Sequence, residues 1–204
     1  MSATDRIRLH GETLLSDGWG TLKSTRLEWR RADGDWQEMA RETYDRGDAV
    51  AVLPYDPDRR TVLLVRQFRF PLVVRNEAPL MIEVAAGLLE GVDPETRVRA
   101  EAEEELGYRL RAPREVFTAW PSPGSVIERI HFFLARYGPD DRVSPGGGIA
   151  DEGEDIEVLE MDFDAAMDGI ARGDIRDAKT IMLLQHAALT VFAPGGVQPR
   201  NTGD

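Results

Sequence analysis

Along most of the chain, apolar and polar residues come in short, turn-bounded runs. Helical periodicity takes over only near the middle and again towards the C-terminus. Residues 21–31 alternate in part, Asp33-Gly34 supplies a hairpin turn, and 36–44 form the return strand. Residues from about 5 to 45 therefore read as a small antiparallel β unit, closed by Asp45-Arg46-Gly47. Two apolar runs, 49–54 and 61–67, flank the turn-forming Asp56-Pro57-Asp58, and a third, 81–86, ends at Gly87. Residues 94–106 read as a helix. Strands are expected at 115–120 and 130–137, with Pro121-Ser122-Pro123-Gly124 between them. A glycine-rich segment, Ser144-Pro145-Gly146-Gly147-Gly148, opens a flexible, acidic-flanked loop that lasts to about Asp155. A strand at 156–161 and helices at 164–172 and 178–192 complete the pattern, and 194–204 read as a flexible tail. Strands mixed with three helices, without internal repeats, predict an α/β (α+β) fold: a mixed sheet with helices on its faces. The expected division is 1–45 for the N-terminal unit and 46–193 for the main domain.

The helix at 94–106 carries the chemistry. Asp93 suits the N-cap, Pro94 the first helical position, and Gly107 the residue just past the end. Val98, Ala102 and Leu106 recur every four residues and form a face to bury. Glu101, Glu104 and Glu105 are spaced i, i+3, i+4, so at about 100° per residue they share one arc of the helix. Like charges at these spacings repel by a few tenths of a kcal/mol per exposed pair. Such a group is tolerable in water, and at a cleft facing a sheet it calls for a cation. Oxygen ligands alone suit Mg2+ or Mn2+ rather than zinc. Glu103 points away from this arc and is expected to be solvated. By themselves, three glutamates in five residues more often mark a solvated acidic face. The glycine-ended strand before the helix, together with the spacing, favours the metal-binding reading.

Composition narrows the rest. The chain has 204 residues, 42% hydrophobic content and a net charge of −12. That is enough for one α/β domain with a core and a smaller appended unit. The acidic balance argues against general nucleic-acid binding, which needs clustered positive charge. An anionic small molecule can still bind if divalent cations lie between it and the protein. Of 25 basic residues only Lys23 and Lys179 are lysines. With no cysteine there are neither disulfides nor thiolate metal sites, which is compatible with the cytoplasm. No apolar run approaches a membrane span, and the N-terminus lacks the apolar core of a signal peptide.

The segment from Gly87 to Gly107 resembles the Nudix box, Gly-x5-Glu-x7-Arg-Glu-apolar-x-Glu-Glu-x-Gly-apolar. Glu101, Glu104 and Glu105 fall on its three later glutamates and Ala102 on the apolar position. Asp93 stands at the early glutamate, with six residues rather than seven before the arginine position, which is Ala100. The ion pair that usually orients a box glutamate is therefore missing, unless another group substitutes. The resemblance covers most of the chain. It is nearest to bacterial GDP-mannose pyrophosphatases, then to ADP-ribose pyrophosphatases. It is carried by Tyr44-Asp-Arg-Gly47, Val65-Arg-Gln-Phe-Arg69, Glu83-Val-Ala-Ala-Gly-Leu-Leu89, Ser122-Pro-Gly124, Ile130-His-Phe-Phe133, Gly146-Gly-Gly148, Glu154-Asp-Ile-Glu-Val-Leu-Glu160 and Asp174-Ile-Arg-Asp-Ala-Lys-Thr180. Ser125 stands where those enzymes often have a second glycine.

The resemblance implies a Nudix fold, with a mixed β-sheet sandwiched between helices. It also implies Mg2+-dependent hydrolysis of a nucleoside diphosphate sugar, GDP-mannose to GMP and mannose 1-phosphate, with ADP-ribose as the alternative substrate. The metal site it implies comprises the carbonyl of Ala86 and the side chains of Glu101, Glu105 and Glu154, with Glu104 bridging or behind them. A carboxylate must take the proton of the attacking water. Glu154 is preferred as ligand or base and Glu128 for positioning substrate or water, with Glu152 as a nearby alternative. Arg69 and Lys179 match positions that contact phosphates or sugar, and Ala86 and Gly87 are implied as substrate-binding with them. Trp19, Arg41 and Glu42 match positions that recognise the nucleotide, Trp19 by stacking on a base. His131 reads as structural. The glycine run 146–148 is not a phosphate-cradling loop, since no Gly-Lys-Ser/Thr follows it. It reads as a hinge for the loop that carries Glu154. A homodimer that exchanges N-terminal β units is implied, without nucleic-acid or membrane partners. A non-catalytic Nudix-fold sensor is favoured only by Ala100. The intact glutamates speak against it, and no DNA-binding extension is expected.

Overall fold

In the computed structural model, which describes residues 3–193, the chain opens with three strands, β1 (Ile7–Asp17), β2 (Thr21–Arg30) and β3 (Trp36–Asp45). They form an antiparallel meander, with Arg30 opposite Trp36 across the predicted Asp33-Gly34 turn. The tail expected at 194–204 lies outside the described residues.

Seven further strands follow in one second sheet: β4 (Ala49–Asp56), β5 (Thr61–Phe68), β6 (Leu80–Glu83), β7 (Ala85–Leu88), β8 (Arg114–Ala119), β10 (Ile130–Arg136) and β11 (Glu157–Asp162). The short strand β9 (Val126–Ile127) instead pairs parallel to β3 and makes the first sheet mixed. The chain forms two compact units. The first runs to Asp48 and takes in Trp120–Arg129, while the second comprises Ala49–Ala119 and the chain from Ile130 onwards. The segment after the predicted loop Pro121-Ser122-Pro123-Gly124, expected within the main domain, thus supplies a strand to the N-terminal sheet.

The second sheet runs β11-β5-β4-β10-β8, with β10 parallel to β4 and the remaining neighbours antiparallel. Every residue of β4 is buried. Its alternate side chains Ala49, Ala51, Leu53 and Tyr55 enter one core with Phe163 and Ala166 of α3 (Phe163–Arg172) and Leu183, Leu184 and Ala187 of α4 (Ala178–Thr190). Val50 and Val52 enter a second core with Val98 of α2 (Pro94–Glu101) and with Ala102 and Leu106 beyond it. Helices on both faces explain why β4 and β5 read as continuous apolar runs rather than alternating ones. The expected sandwich of a mixed sheet between helices is the observed fold.

Two sequence expectations change in detail. The run 81–86 is not one strand: β6 pairs with β5 and β7 with β4, and the chain changes partner at Val84. Thr180 Oγ1 accepts the Val84 N–H there at 2.8 Å, satisfying a buried donor that neither ladder reaches. A short helix, α1 (Phe70–Val74), fills the link between β5 and β6.

Candidate active site

The predicted helix starts as its sequence dictates. The Asp93 side chain accepts the Thr96 N–H at 3.0 Å and Pro94 takes the first helical position. The α-helical part ends at Glu101, and Ala102–Leu106 continue as one wider π turn closed by Gly107 at φ +77°. Within this distorted end, Glu101 and Glu105 are turned inward, with 4% and 3% of their surface exposed, whereas Glu104 stays partly exposed. The uniform arc inferred from α-helical spacing is thus uneven. Glu103 does point away, and it pairs with Arg109 at 2.9 Å instead of standing alone in water.

Strand β7 lies against these carboxylates. The Ala86 N–H donates to Glu105 Oε2 at 3.1 Å. A Cβ added at Gly87 would sit 1.7 Å from Glu101 Oε1, so only glycine leaves room for that carboxylate. Burial, followed by the charges of Glu101 and Glu154, pushes the Glu105 carboxyl up to about 8.

Among the described residues, no three acidic or histidine side chains already converge at metal-ligand spacing. Each carboxylate instead has its own partner: Glu101 forms an ion pair with Arg97 at 2.5 Å, Glu105 accepts the Ala86 N–H, and Glu154 Oε2 accepts the Ile149 N–H at 2.8 Å. The donor set nevertheless fits a hard divalent cation. It is made of oxygen, largely buried, and its mutual repulsion is what a divalent charge relieves.

The glycines at 146–148, expected as a hinge for the loop that carries Glu154, are docked on the helix end. Gly147 N–H donates to the Glu105 carbonyl at 2.9 Å and Gly148 N–H to the Glu104 carbonyl at 3.0 Å. These carbonyls belong to the end of the helix, where no intrahelical donor remains. All three glycines have left-handed φ, and a Cβ at Gly146 would lie 2.6 Å from the Glu105 carbonyl oxygen. The segment leading to Glu154 is therefore tied to the backbone of the glutamates themselves. The Glu152 side chain lies outside the described residues.

Arg69 and Lys179 come together on a carboxylate that had no role in the sequence reading. Glu83, 1% exposed, accepts Arg69 Nε at 2.7 Å and Nη2 at 2.9 Å, and Lys179 Nζ at 2.6 Å. Burial would raise the Glu83 carboxyl, but the Arg69 hydrogen bonds and the Lys179 and Arg69 charges outweigh it and hold it below the usual range. Asp177 caps α4 through the Thr180 N–H and binds Lys179 at 2.9 Å. Bidentate pairing through Nε and Nη2 leaves the far edge of the Arg69 fork, partly exposed, for another anion.

The remaining candidates belong to the first unit. Trp19 is 72% exposed, with the Arg46 guanidinium 4.6 Å from its ring centroid, and Arg46 Nε lies 3.4 Å from Glu128 Oε1. Arg41 and Glu42 are exposed neighbours on β3, opposite Thr25 and Ser24. Elsewhere, His131 meets Glu115 at 3.1 Å from within β10. Two residues of the second unit went unread, Glu83 and Arg97. A single acid inside the apolar run 81–86 was a usable signal for Glu83. Arg97 was hidden in an arginine-rich helix, where only its i, i+4 spacing to Glu101 marks it.

A buried acidic helix end facing a glycine-interrupted strand, within a helix–sheet–helix sandwich, is the arrangement of a metal-assisted phosphohydrolase. Residues 45–184 match the family model of the NUDIX domain, and residues 6–44 match that of the GDP-mannose pyrophosphatase NudK N-terminal domain. The chain belongs to the Nudix family of hydrolases, which act with divalent metal ions. It is 44% identical to a GDP-mannose pyrophosphatase of Cronobacter sakazakii over 90% of this chain and 95% of that protein. It is 43% identical to one of Escherichia coli O157:H7 over 92% and 97%. The crystal structure of an ADP compounds hydrolase shares the fold, with TM-score 0.67 over 88% of this chain and 91% of that one, at 18% identity. No described helix is long and apolar enough to cross a membrane.

Proposed function

We propose that this enzyme hydrolyses the pyrophosphate bond of a nucleoside diphosphate sugar, with GDP-mannose as substrate and GMP and mannose 1-phosphate as products, using Mg2+ in the cytoplasm. The observation that carries the reading is the identity of 43–44% with GDP-mannose pyrophosphatases across nearly the whole length of both chains, N-terminal unit included.

Glu101, Glu105, Glu154 and the Ala86 carbonyl would hold the metal. Bound there, a divalent cation polarises phosphoryl oxygens and lowers the pKa of a water molecule. Water adds to phosphorus, the bridging P–O bond breaks, and the sugar phosphate leaves with the bridging oxygen. Glu154, on the segment tied to the helix end, takes the proton of the attacking water, and Glu104 supports the metal-binding pair. Arg69 and Lys179 meet the phosphates with charges already set in place by Glu83, beside the backbone of Gly87. Trp19, Arg41, Glu42 and Glu128 contact nucleotide and sugar, and the working form is a homodimer that exchanges its N-terminal units. Mn2+ substitutes for Mg2+ on the same oxygen donors.

The test is a comparison of kcat/KM for GDP-mannose, ADP-ribose and other nucleotide sugars with Mg2+, with products separated by ion-exchange chromatography. GDP-mannose should be preferred and should yield GMP with mannose 1-phosphate. A much higher value for ADP-ribose would overturn the substrate assignment.

A further inference from the structure

Arg97 occupies a place where local helix energetics do not favour it. It is the fourth residue of α2, in the first turn, where the helix dipole disfavours a cation. Its i, i+4 partner Glu101 lies on the C-terminal side, the weaker of the two orientations for such a pair. Even in the better orientation an exposed pair contributes only about 0.2–0.5 kcal/mol. A local reason for this arginine is therefore lacking, and its tertiary contacts supply one.

Those contacts converge on the carboxylates. Nε donates to the Leu88 carbonyl at 2.9 Å, Nη2 lies 2.5 Å from Glu101 Oε1, and Nη1 lies 3.8 Å from Glu104 Oε2. The side chain is 23% exposed, so this charge is only weakly screened. Through Leu88 it joins the start of the helix to the end of β7, the strand whose Gly87 clears space for the same Glu101 carboxylate. One arm of the guanidinium is thus fixed to the strand while another pairs by charge with Glu101, which sets the position of that carboxylate.

We propose that Arg97 is the positioning residue for the acidic cluster, supplying from the first helical turn the cation that is missing at Ala100. The inference rests on Glu101 being a metal ligand. It predicts that the fork geometry matters beyond charge and that a cation restored at position 100 can replace it.

The experiment measures Mg2+ binding by calorimetry and by the Mg2+-induced rise in Tm, beside kcat and KM for the nucleotide sugar, in full-length protein. Arg97→Ala should stay folded, bind Mg2+ about 10- to 100-fold more weakly and lose a similar factor in kcat, with KM little changed. Arg97→Lys should recover part of this, and Arg97→Ala combined with Ala100→Arg should recover most of it. Wild-type Mg2+ affinity in folded Arg97→Ala would overturn the proposal. If that variant does not fold, Arg97→Lys decides, since wild-type affinity there would equally overturn it. Glu101→Gln separates the two levels. Lost Mg2+ binding in Glu101→Gln beside normal binding in Arg97→Ala refutes the arginine's role alone. Normal binding in Glu101→Gln refutes the metal-site reading beneath it, and the proposal with it.

Discussion

Replacing Gly87 with alanine adds one carbon where the structure has no room for it. The new Cβ would lie 1.7 Å from Glu101 Oε1, 2.2 Å from its Cδ and 2.8 Å from Oε2. Ordinary contact begins near 3.4 Å, so the carboxylate or the strand must retreat by about 1.7 Å. The strand cannot easily move, because Gly87 pairs with Val50 of the fully buried β4 and a retreat would pull that ladder apart. The backbone at 87 is not left-handed, so alanine brings no dihedral strain of its own. The carboxylate gives way, against Arg97 behind it. Overpacking of this kind costs about 1–3 kcal/mol, or a fall in Tm of several degrees for a chain this size. Function should suffer far more, since a misplacement of about 1 Å at a reacting centre can cost about 100-fold. Circular dichroism should show a folded protein with a modestly lower Tm, and steady-state kinetics a loss of at least about 100-fold in kcat/KM. Near-normal turnover in a folded Gly87→Ala protein would refute the claim that the missing side chain exists to seat Glu101.

Two further predictions follow from the buried acids. Glu105, raised to about 8, favours the folded state most fully below its unfolded value near 4.5, and this contribution is lost as pH rises through 8. Metal-free protein should therefore lose stability between about pH 5 and pH 8, on the order of a few kcal/mol, seen as a falling Tm. Glu105→Gln should flatten this slope while abolishing Mg2+-dependent turnover; a slope that persists in the variant counts against the assignment. Glu83 has the opposite sign. Held below its usual range, it stabilises above about pH 4.5 and that contribution disappears as pH falls through its folded value. Glu83→Gln strands the Arg69 charge and leaves Lys179 with Asp177 alone, and urea unfolding should show a loss of roughly 3 kcal/mol, the low end for a buried pair because Arg69 is partly exposed and Lys179 keeps a partner.

The elements that could be read from sequence are those whose partners demand a general property. Strands β4 and β5 needed only to be apolar on both faces, and α2 needed a cap at Asp93, a stop at Gly107 and Val98, Ala102 and Leu106 on one side. Strand β1 escaped individual notice because all eleven of its residues are exposed, so no burial pattern marks it. The exchange of partners between β6 and β7 depends on a single hydroxyl, Thr180, 96 residues further along the chain. Arg69 and Lys179 could be picked out by type and by resemblance. The carboxylate that unites them could not, because a buried glutamate is intelligible only with its cations in view.

Around Glu105 the departures from local rules have a common cause. An acidic side chain is buried, a helix widens into a π turn, an arginine stands in a first turn, and three successive glycines take left-handed φ. Each is unfavourable when judged by its sequence neighbours, by amounts from a few tenths to a few kcal/mol. Each also has a tertiary partner in the same small region: Ala86 N–H, the Gly147 and Gly148 amides, and the Leu88 carbonyl. A cost spread at random over the fold would be selected away position by position. Concentrated at one point and mutually supported, it holds carboxyl oxygens in a buried place before any cation arrives. Local propensity is thus least informative where the chain is arranged for chemistry, and the same failure of local rules that hid Arg97 from sequence reading identifies it once the structure is seen.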